Sequence, residues 1–287
     1  MEPHQHTSSN DQQRPAARRW FRRTDRGRLR FSGRDALSFL QALVTNDVDA
    51  LPIGGAIDAA WLTPQGRMIT DLRIFRRTDD VIVSVPIELT AVLAARFDSL
   101  LFSEDVQIAD VTSEVPQVTV IALGGESPNL QEDVLYEPPP GVPELSSQEY
   151  EAMRIEAGIA KWGIDMTEDT IPLEAGLLAR AISQNKGCYV GQEVIIRVLH
   201  RGGGRVAKRL MRIVFEPGAT FPSGEPVPEP GASIDVDGVS VGAVTSAALS
   251  AVSGRVVALG YVKRDHAEAG TAVLIGGQPA ILGAAAS

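Results

Sequence analysis

The 287-residue sequence predicts an α+β region with a mostly antiparallel sheet, followed by a small β-barrel. Three observations carry that expectation. Between Trp20 and Leu123 the pattern runs strand, helix, strand, strand, helix, strand, with short strands closing the half. Within residues 148–182 apolar side chains recur at helical spacing. Beyond Lys208 the chain changes to short alternating runs broken by closely spaced turn signals. The division this implies is a disordered tail over 1–17, an α+β region over 18–207 with a break near 124–147, and a barrel over 208–287.

Residues 1–17 are polar and lack apolar periodicity, which predicts disorder. After Arg28-Leu29-Arg30-Phe31, Ser32 is placed to cap a helix whose apolar positions Ala36, Leu37, Phe39, Leu40, Leu43 and Val44 share one face. Residues 56–77 hold two alternating runs separated by Thr63-Pro64-Gln65-Gly66, a hairpin signature, and 81–86 reads as a third strand. Pro86 opens a second helix bearing Leu89, Val92, Leu93 and Phe97, and short strands follow at 105–111 and 117–123. Residues 124–147, rich in Pro, Gly, Ser and acids, read as a surface loop or linker. Helical stretches at 148–160 and 173–182 come next, and the barrel runs occupy 209–215, 232–248, 255–264 and 272–280.

With 44% apolar and 22% charged residues the chain can bury a substantial core. No apolar run approaches the ~20 residues that span a bilayer, and the N-terminal stretch has no secretory pattern, so a cytoplasmic protein is expected. A net charge of −9 argues against general affinity for nucleic acid. Two stretches run against that charge: nine arginines between Arg14 and Arg34, and the cluster Arg197, His200, Arg201, Arg205, Lys208 and Arg209. The preferred reading of both is solvated charge; the alternative is a patch for a polyanion such as RNA or the glutamate tail of a folate.

The single cysteine lies in Gln184-Asn185-Lys186-Gly187-Cys188-Tyr189-Val190-Gly191-Gln192-Glu193. A helix starting near Gly191 would bring unpaired N–H groups toward the thiol, and Lys186 adds a cation; both favour the thiolate, the nucleophilic and metal-binding form. Against this stands the ordinary role of an unpaired cysteine as a small buried hydrophobe. One thiol falls short of the four protein ligands usual for an iron–sulfur cluster or structural zinc, so a metal role needs a partner, a second copy or an external thiol.

The segment 186–193 resembles the signature of the YgfZ family of folate-binding proteins, whose eukaryotic mitochondrial relatives assist iron–sulfur cluster assembly. That family is similar in fold to the T-protein of the glycine cleavage system, a tetrahydrofolate-dependent aminomethyltransferase. The resemblance extends to residues 39–51, to 154–165 and 171–177, which resemble a segment shared with the T-protein, and to 242–248 and 258–264 in the barrel. It implies α+β units around a central channel that holds tetrahydrofolate or a one-carbon derivative.

Carried over by resemblance, Glu156 occupies the position of the pterin-binding glutamate, whose carboxylate would accept from the pterin's amide and amino donors. Arg154 and Trp162 are candidates for the glutamate tail and for ring stacking, while Tyr189, Gln192 and Glu193 would shape the pocket mouth. In the T-protein a Gly-x-x-x-Asp-Asp-Leu-like run sets an aspartate near the reactive nitrogen of folate; here Gly66 and Asp71 match and Thr70 replaces one acid. Asp71 keeps the capacity to bond a nitrogen or steer a proton, but loss of half the acidic pair weakens the case for aminomethyl transfer. The resemblance therefore implies an accessory factor that supports iron–sulfur assembly or repair, with cluster-dependent client proteins such as tRNA-modifying enzymes as beneficiaries and Cys188 and Lys186 as its reactive pair. The alternatives are a true aminomethyltransferase, docking an acidic lipoylated carrier on the basic stretch at 197–209, and a folate-storage module in which Cys188 is inert.

Overall fold

The computed structural model describes residues 17–123, 129–221, 224–251 and 253–286. All but the last residue of the tail expected to be disordered, 1–16, lies outside them, and Ala17 already opens a strand. Two antiparallel sheets and a closed barrel form the molecule. Strands β1 (Ala17–Arg22), β7 (Val118–Leu123) and β8 (Asn129–Val134) make a three-stranded sheet in the order β1-β7-β8. Strands β2 (Arg26–Ser32), β3 (Ala56–Leu62), β4 (Met68–Arg76), β5 (Val81–Pro86) and β6 (Gln107–Asp110) make a five-stranded sheet in the order β3-β4-β5-β2-β6.

One face of the larger sheet packs on helices α1 (Ala36–Leu43) and α2 (Thr90–Asp98). Trp61 stacks on Phe97 with ring centroids 4.1 Å apart, and Phe31 meets Phe97 edge-on at 5.1 Å. Because side chains alternate along a strand, Ala59, Trp61, Leu72 and Ile74 go to this core, whereas Asp58, Ala60, Asp71 and Arg73 face the other way. That second face is the floor of the site.

Helix α3 (Ser147–Ala157) starts with a full capping box between Ser146 and Glu149, and ends at Gly158 in the left-handed region. A Cβ on Gly158 would sit 2.9 Å from Arg212 Cδ, so the helix end lies hard against the barrel. The barrel closes six strands, β10-β11-β12-β9-β14-β13: β9 (Lys208–Phe215), β10 (Ser233–Val236), β11 (Val239–Leu249), β12 (Val256–Lys263), β13 (Ala272–Ile275) and β14 (Gln278–Ala285). Its interior is filled by side chains such as Ile213, Phe215, Ile234 and Leu282, all at most 1% exposed. The mostly antiparallel α+β region followed by a C-terminal barrel, expected from the sequence, is the architecture observed.

Four local expectations differ. Ser32 does not cap α1 but pairs with Gln107 in the ladder of β2 and β6, and Asp35 occupies the cap position. The segment read as a loop holds β8, whose ladder with β7 satisfies the backbone; residues 124–128 lie outside the described set. The helical stretch at 173–182 shrinks to the single turn α4 (Leu178–Ala181), because Gly176 adopts φ +79°. Finally, the arginines read as solvated are in part interior: Arg26 and Arg28 are each 7% exposed. Among the described residues no helix is long and apolar enough to cross a membrane.

Candidate functional site

A cavity of about 380 Å³ lies where the second face of the larger sheet meets β1, β7, β8, α3 and the segment after it. Asp71, Arg73 and Asp58 form its floor, Arg23, Asp25 and Arg26 one wall, and Tyr150, Arg154, Lys161 and Trp162 another. Its volume falls in the range of small-molecule sites.

The first wall is a buried charge lattice. Arg23 donates from Nε and Nη2 to the two oxygens of Asp25 at 2.8 and 3.1 Å, and from Nη1 to Asp133 at 2.9 Å. Thr119 Oγ1 also donates to Asp133, as does Gln117 Nε2 at 3.2 Å. Burial alone would raise the Asp25 carboxyl, but the charge and hydrogen bonds of Arg23 outweigh it and hold the group at about 2. Burial likewise disfavours charge on Arg23, yet Asp133 and Asp25 keep its pKa well above the ordinary value. Tyr150, stacked on Phe21 at 4.1 Å, is pushed up to about 12 by burial.

The floor has unused hydrogen-bonding capacity. Arg26 Nη1 donates to Asp71 Oδ2 at 2.8 Å, while its other nitrogens bond Ser84. Asp58 joins Arg73 at 3.3 Å and Arg180 at 3.2 Å. Asp71 Oδ1, Arg73 Nε and Arg180 Nε are buried without a partner, and all three residues line the cavity. Such orphans are costly in a folded protein and are normally satisfied by water or ligand.

On the second wall Arg154, 2% exposed, bonds Glu151 and Asp165. Burial lowers its pKa, but the Glu151 hydrogen bond and the Asp165 charge leave it raised. Lys161 reaches Glu151 at 3.2 Å.

Of the sequence-predicted residues, Asp71, Arg154 and Trp162 meet in this cavity. Glu156 does not: two residues past Arg154 on a helix is a rotation of about 200°, which turns its carboxylate to the barrel side, where it accepts from Ser250 at 2.6 Å. Cys188, Lys186, Tyr189, Gln192 and Glu193 also lie outside the cavity lining.

These five form a second region over the tip of the β3–β4 hairpin, where a Cβ on Gly191 would lie 2.5 Å from the Thr63 carbonyl. Cys188 is exposed. Lys186, expected to face the thiol, instead donates to the carbonyls of Gln41, Val44 and Asn46 at 2.7, 2.7 and 2.9 Å. Three bonds use all the donors of an ammonium, so the lysine ties this loop to the end of α1. Burial lowers its pKa to about 8. The expected helix is α5 (Gln192–Ile196), only five residues long before a π turn, so its dipole is small. Tyr189 packs in the core with Ala60, Leu62 and Met68, and burial raises its hydroxyl to about 12. Gln192 is half-buried, and exposed Glu193 pairs with Arg197 at 2.6 Å. Among the described residues no group of three or more His, Cys, Asp or Glu is placed to hold a metal ion.

Residues missed by sequence reasoning are Asp25, Asp58, Arg73, Asp133, Tyr150 and Arg180, while Arg23 and Arg26 lay in the arginine-rich stretch whose preferred reading was solvated charge. One signal was present: in Arg26-Gly27-Arg28-Leu29-Arg30-Phe31 the arginines alternate with core residues, which aims them at the face away from the core.

Comparison with known proteins agrees with this architecture. Residues 21–134 match the GCVT N-terminal domain and residues 208–279 the glycine cleavage T-protein C-terminal barrel domain. The chain is 27% identical over 301 residues to an aminomethyltransferase of Nostoc sp. strain PCC 7120, covering 85% of this chain and 76% of that protein. It is 26% identical over 232 residues to a mitochondrial iron-sulfur cluster assembly factor IBA57 homolog of Mycosarcoma maydis, covering 69% of this chain and 57% of the relative, so it spans little more than half of that protein. The crystal structure of glycine cleavage system aminomethyltransferase T from Bartonella henselae superposes with a TM-score of 0.74 at 18% identity, covering 94% of this chain and 86% of that one. The chain thus combines a GCVT N-terminal domain with a T-protein-type barrel.

Proposed function

We propose that this two-domain chain binds tetrahydrofolate or a one-carbon derivative in the central cavity and supports iron–sulfur cluster assembly or repair. The observation that carries the ligand half is the unpartnered Asp71 Oδ1 on the floor of a 380 Å³ cavity. The residues present fit a folate. An unpartnered carboxylate oxygen suits the donors of a pterin edge, the unpartnered Nε–H groups of Arg73 and Arg180 suit a carboxylate or carbonyl, and Trp162 offers ring surface. Arg154, held by Glu151 and Asp165, gives the second wall a fixed shape. When bound, the folate supplies a one-carbon carrier; the protein's own part is to orient it and to place Asp71 as acceptor.

Support for the assembly half is the IBA57 homolog among the relatives, together with an exposed, free thiol at Cys188. In this reading the cluster, or its iron or sulfur, is cargo that the thiol meets transiently. A second reading, aminomethyl transfer, is favoured by the aminomethyltransferase among the relatives and by the presence of Asp71 in the cavity.

Calorimetric titration with tetrahydrofolate and 5-formyltetrahydrofolate tests the ligand. Micromolar binding that Asp71→Asn weakens by roughly 10–100-fold and Glu156→Ala spares is the expected result; loss with Glu156→Ala alone would move the pterin to the helix α3 and barrel side. Ammonia release from an aminomethyl-lipoyl donor would select the transferase reading. Loss of cluster-enzyme activity in cells carrying Cys188→Ala would support the assembly role.

A further inference from the structure

Among the residues that join the cavity's second wall to the barrel is Asp165, whose side chain is fully buried at 0% exposure. Its Oδ2 accepts from Arg154 Nη1 and from the backbone N–H of Lys161 at 3.0 Å. Its Oδ1 accepts from two hydroxyls of β11, Thr245 Oγ1 and Ser246 Oγ. Its own carbonyl accepts from Tyr261 Oη on β12 at 2.9 Å. The carboxylate therefore divides its acceptor capacity between the cavity wall on one oxygen and the barrel on the other. Glu151, by comparison, bonds Arg154 and Lys161 on the wall, and Glu156 accepts from Ser250 at the seam between helix and barrel.

We propose that Asp165 is a positioning residue for the ligand cavity, through which β11 of the barrel sets the Arg154 guanidinium and the Lys161–Trp162 segment. This rests on the cavity being the ligand site, and it extends that reading by giving the barrel a part in binding. The physical case is the cost of the arrangement. A buried carboxylate is tolerated when its charge is paired and its lone pairs are filled, and here the filling comes from both domains at once. Removing the barrel's two hydroxyls leaves Oδ1 unfilled, and the carboxylate then re-aims toward its remaining donors. Arg154 and the backbone of Lys161, bonded to the other oxygen of the same rigid group, must follow.

The test uses the intact chain and two variants, Asp165→Asn and the doubly substituted Thr245→Val/Ser246→Ala, whose altered residues do not line the cavity. Two readouts are taken at a temperature where each protein is fully folded. The first needs no ligand: the ¹⁵N signals of the Arg154 guanidinium and the Trp162 indole. The second is the Kd for tetrahydrofolate. The expectation is that both variants displace the Arg154 and Trp162 signals and weaken tetrahydrofolate binding by about 10-fold, as loss of an orienting partner does elsewhere. A barrel-side variant that lowers thermal stability but leaves the signals and the Kd in place would overturn the proposal, since that is the behaviour of a purely structural anchor. Should Asp165→Asn fail to fold, the barrel-side variant decides alone. If wild type does not bind tetrahydrofolate, the ligand reading falls, while the NMR signals still decide whether the barrel sets the wall.

Discussion

The central cavity and the Cys188 loop are built on opposite terms. The cavity holds its charges in fixed pairings, Arg23 with Asp25 and Asp133 and Arg26 with Asp71, and three polar atoms of its lining residues are buried without a partner. The loop spends its one cation, Lys186, on anchoring itself to α1 and leaves its thiol exposed. On the function proposed, pre-organisation suits the first to holding a ligand, and anchored backbone with an accessible side chain suits the second to meeting and releasing a partner. A protein that binds a small molecule and also serves another macromolecule has a use for both.

The largest effect that would break this contrast is on the lattice. Arg23→Met leaves Asp25 and Asp133 buried without their shared partner and is expected to cost about 3–5 kcal/mol, since breaking a buried pair strands charge. Urea unfolding followed by fluorescence reads this directly. A loss below ~1 kcal/mol would mean that solvent reaches the wall, and the cavity would then resemble the loop.

Next in size is Asp71→Asn. The substitution keeps shape but turns an unpartnered acceptor oxygen of a cavity-lining residue into a group that can donate, and it weakens the pairing with Arg26. Tetrahydrofolate affinity is expected to fall by roughly 10–100-fold, the range for one charged hydrogen bond. Unchanged affinity would place the ligand elsewhere.

The two regions also differ in how pH acts on them, and both predictions follow from folded-state pKa values lowered in each region. Asp25 is a carboxylate held at about 2 against 3.8, so its contribution is present above pH 3.8 and is lost as pH falls toward 2, roughly 2 kcal/mol in all. Lys186 is an amine lowered from 10.5 to about 8, so the unfolded chain binds more protons between those values and stability rises with pH from about 8. The rise should end near pH 10, where Tyr150 and Tyr189, held up to about 12, begin to oppose it. Lys186→Met should flatten the alkaline limb and leave the acid limb as it was; urea midpoints across pH 2–10 give the answer.

How far the sequence foretold these regions follows from how each is assembled. The Cys188 loop is contiguous, so its residues could be named from one motif, yet the direction of Lys186 could not: its three acceptors come from the end of a helix some 140 residues earlier. Asp71, Arg154 and Trp162 were reached through family motifs. Arg23 and Asp133 were not, because their pairing depends on β1 and β8 flanking β7, and β8 lies in a stretch whose Pro and Gly content reads as loop. Glu156, carried over with Asp71, Arg154 and Trp162, lies on the barrel side of α3 and not in the cavity. A motif carries a residue type forward but not the helical phase that decides which face it occupies.

The smallest expected effect sharpens the comparison most. Cys188→Ser changes one exposed atom, so stability should move by no more than about 0.5 kcal/mol, and tetrahydrofolate affinity should stay within about twofold of wild type, since Cys188 is not among the residues lining the cavity. The rate of alkylation of Cys188 by iodoacetamide should likewise be unchanged when excess tetrahydrofolate is present, because an exposed thiol outside the lining is not shielded by what the cavity holds. Protection of the thiol by the ligand, or a tenfold loss of affinity in the serine variant, would show that the bound molecule extends to the loop. The holding site and the meeting site would then be one, and the thiol would act on the folate itself.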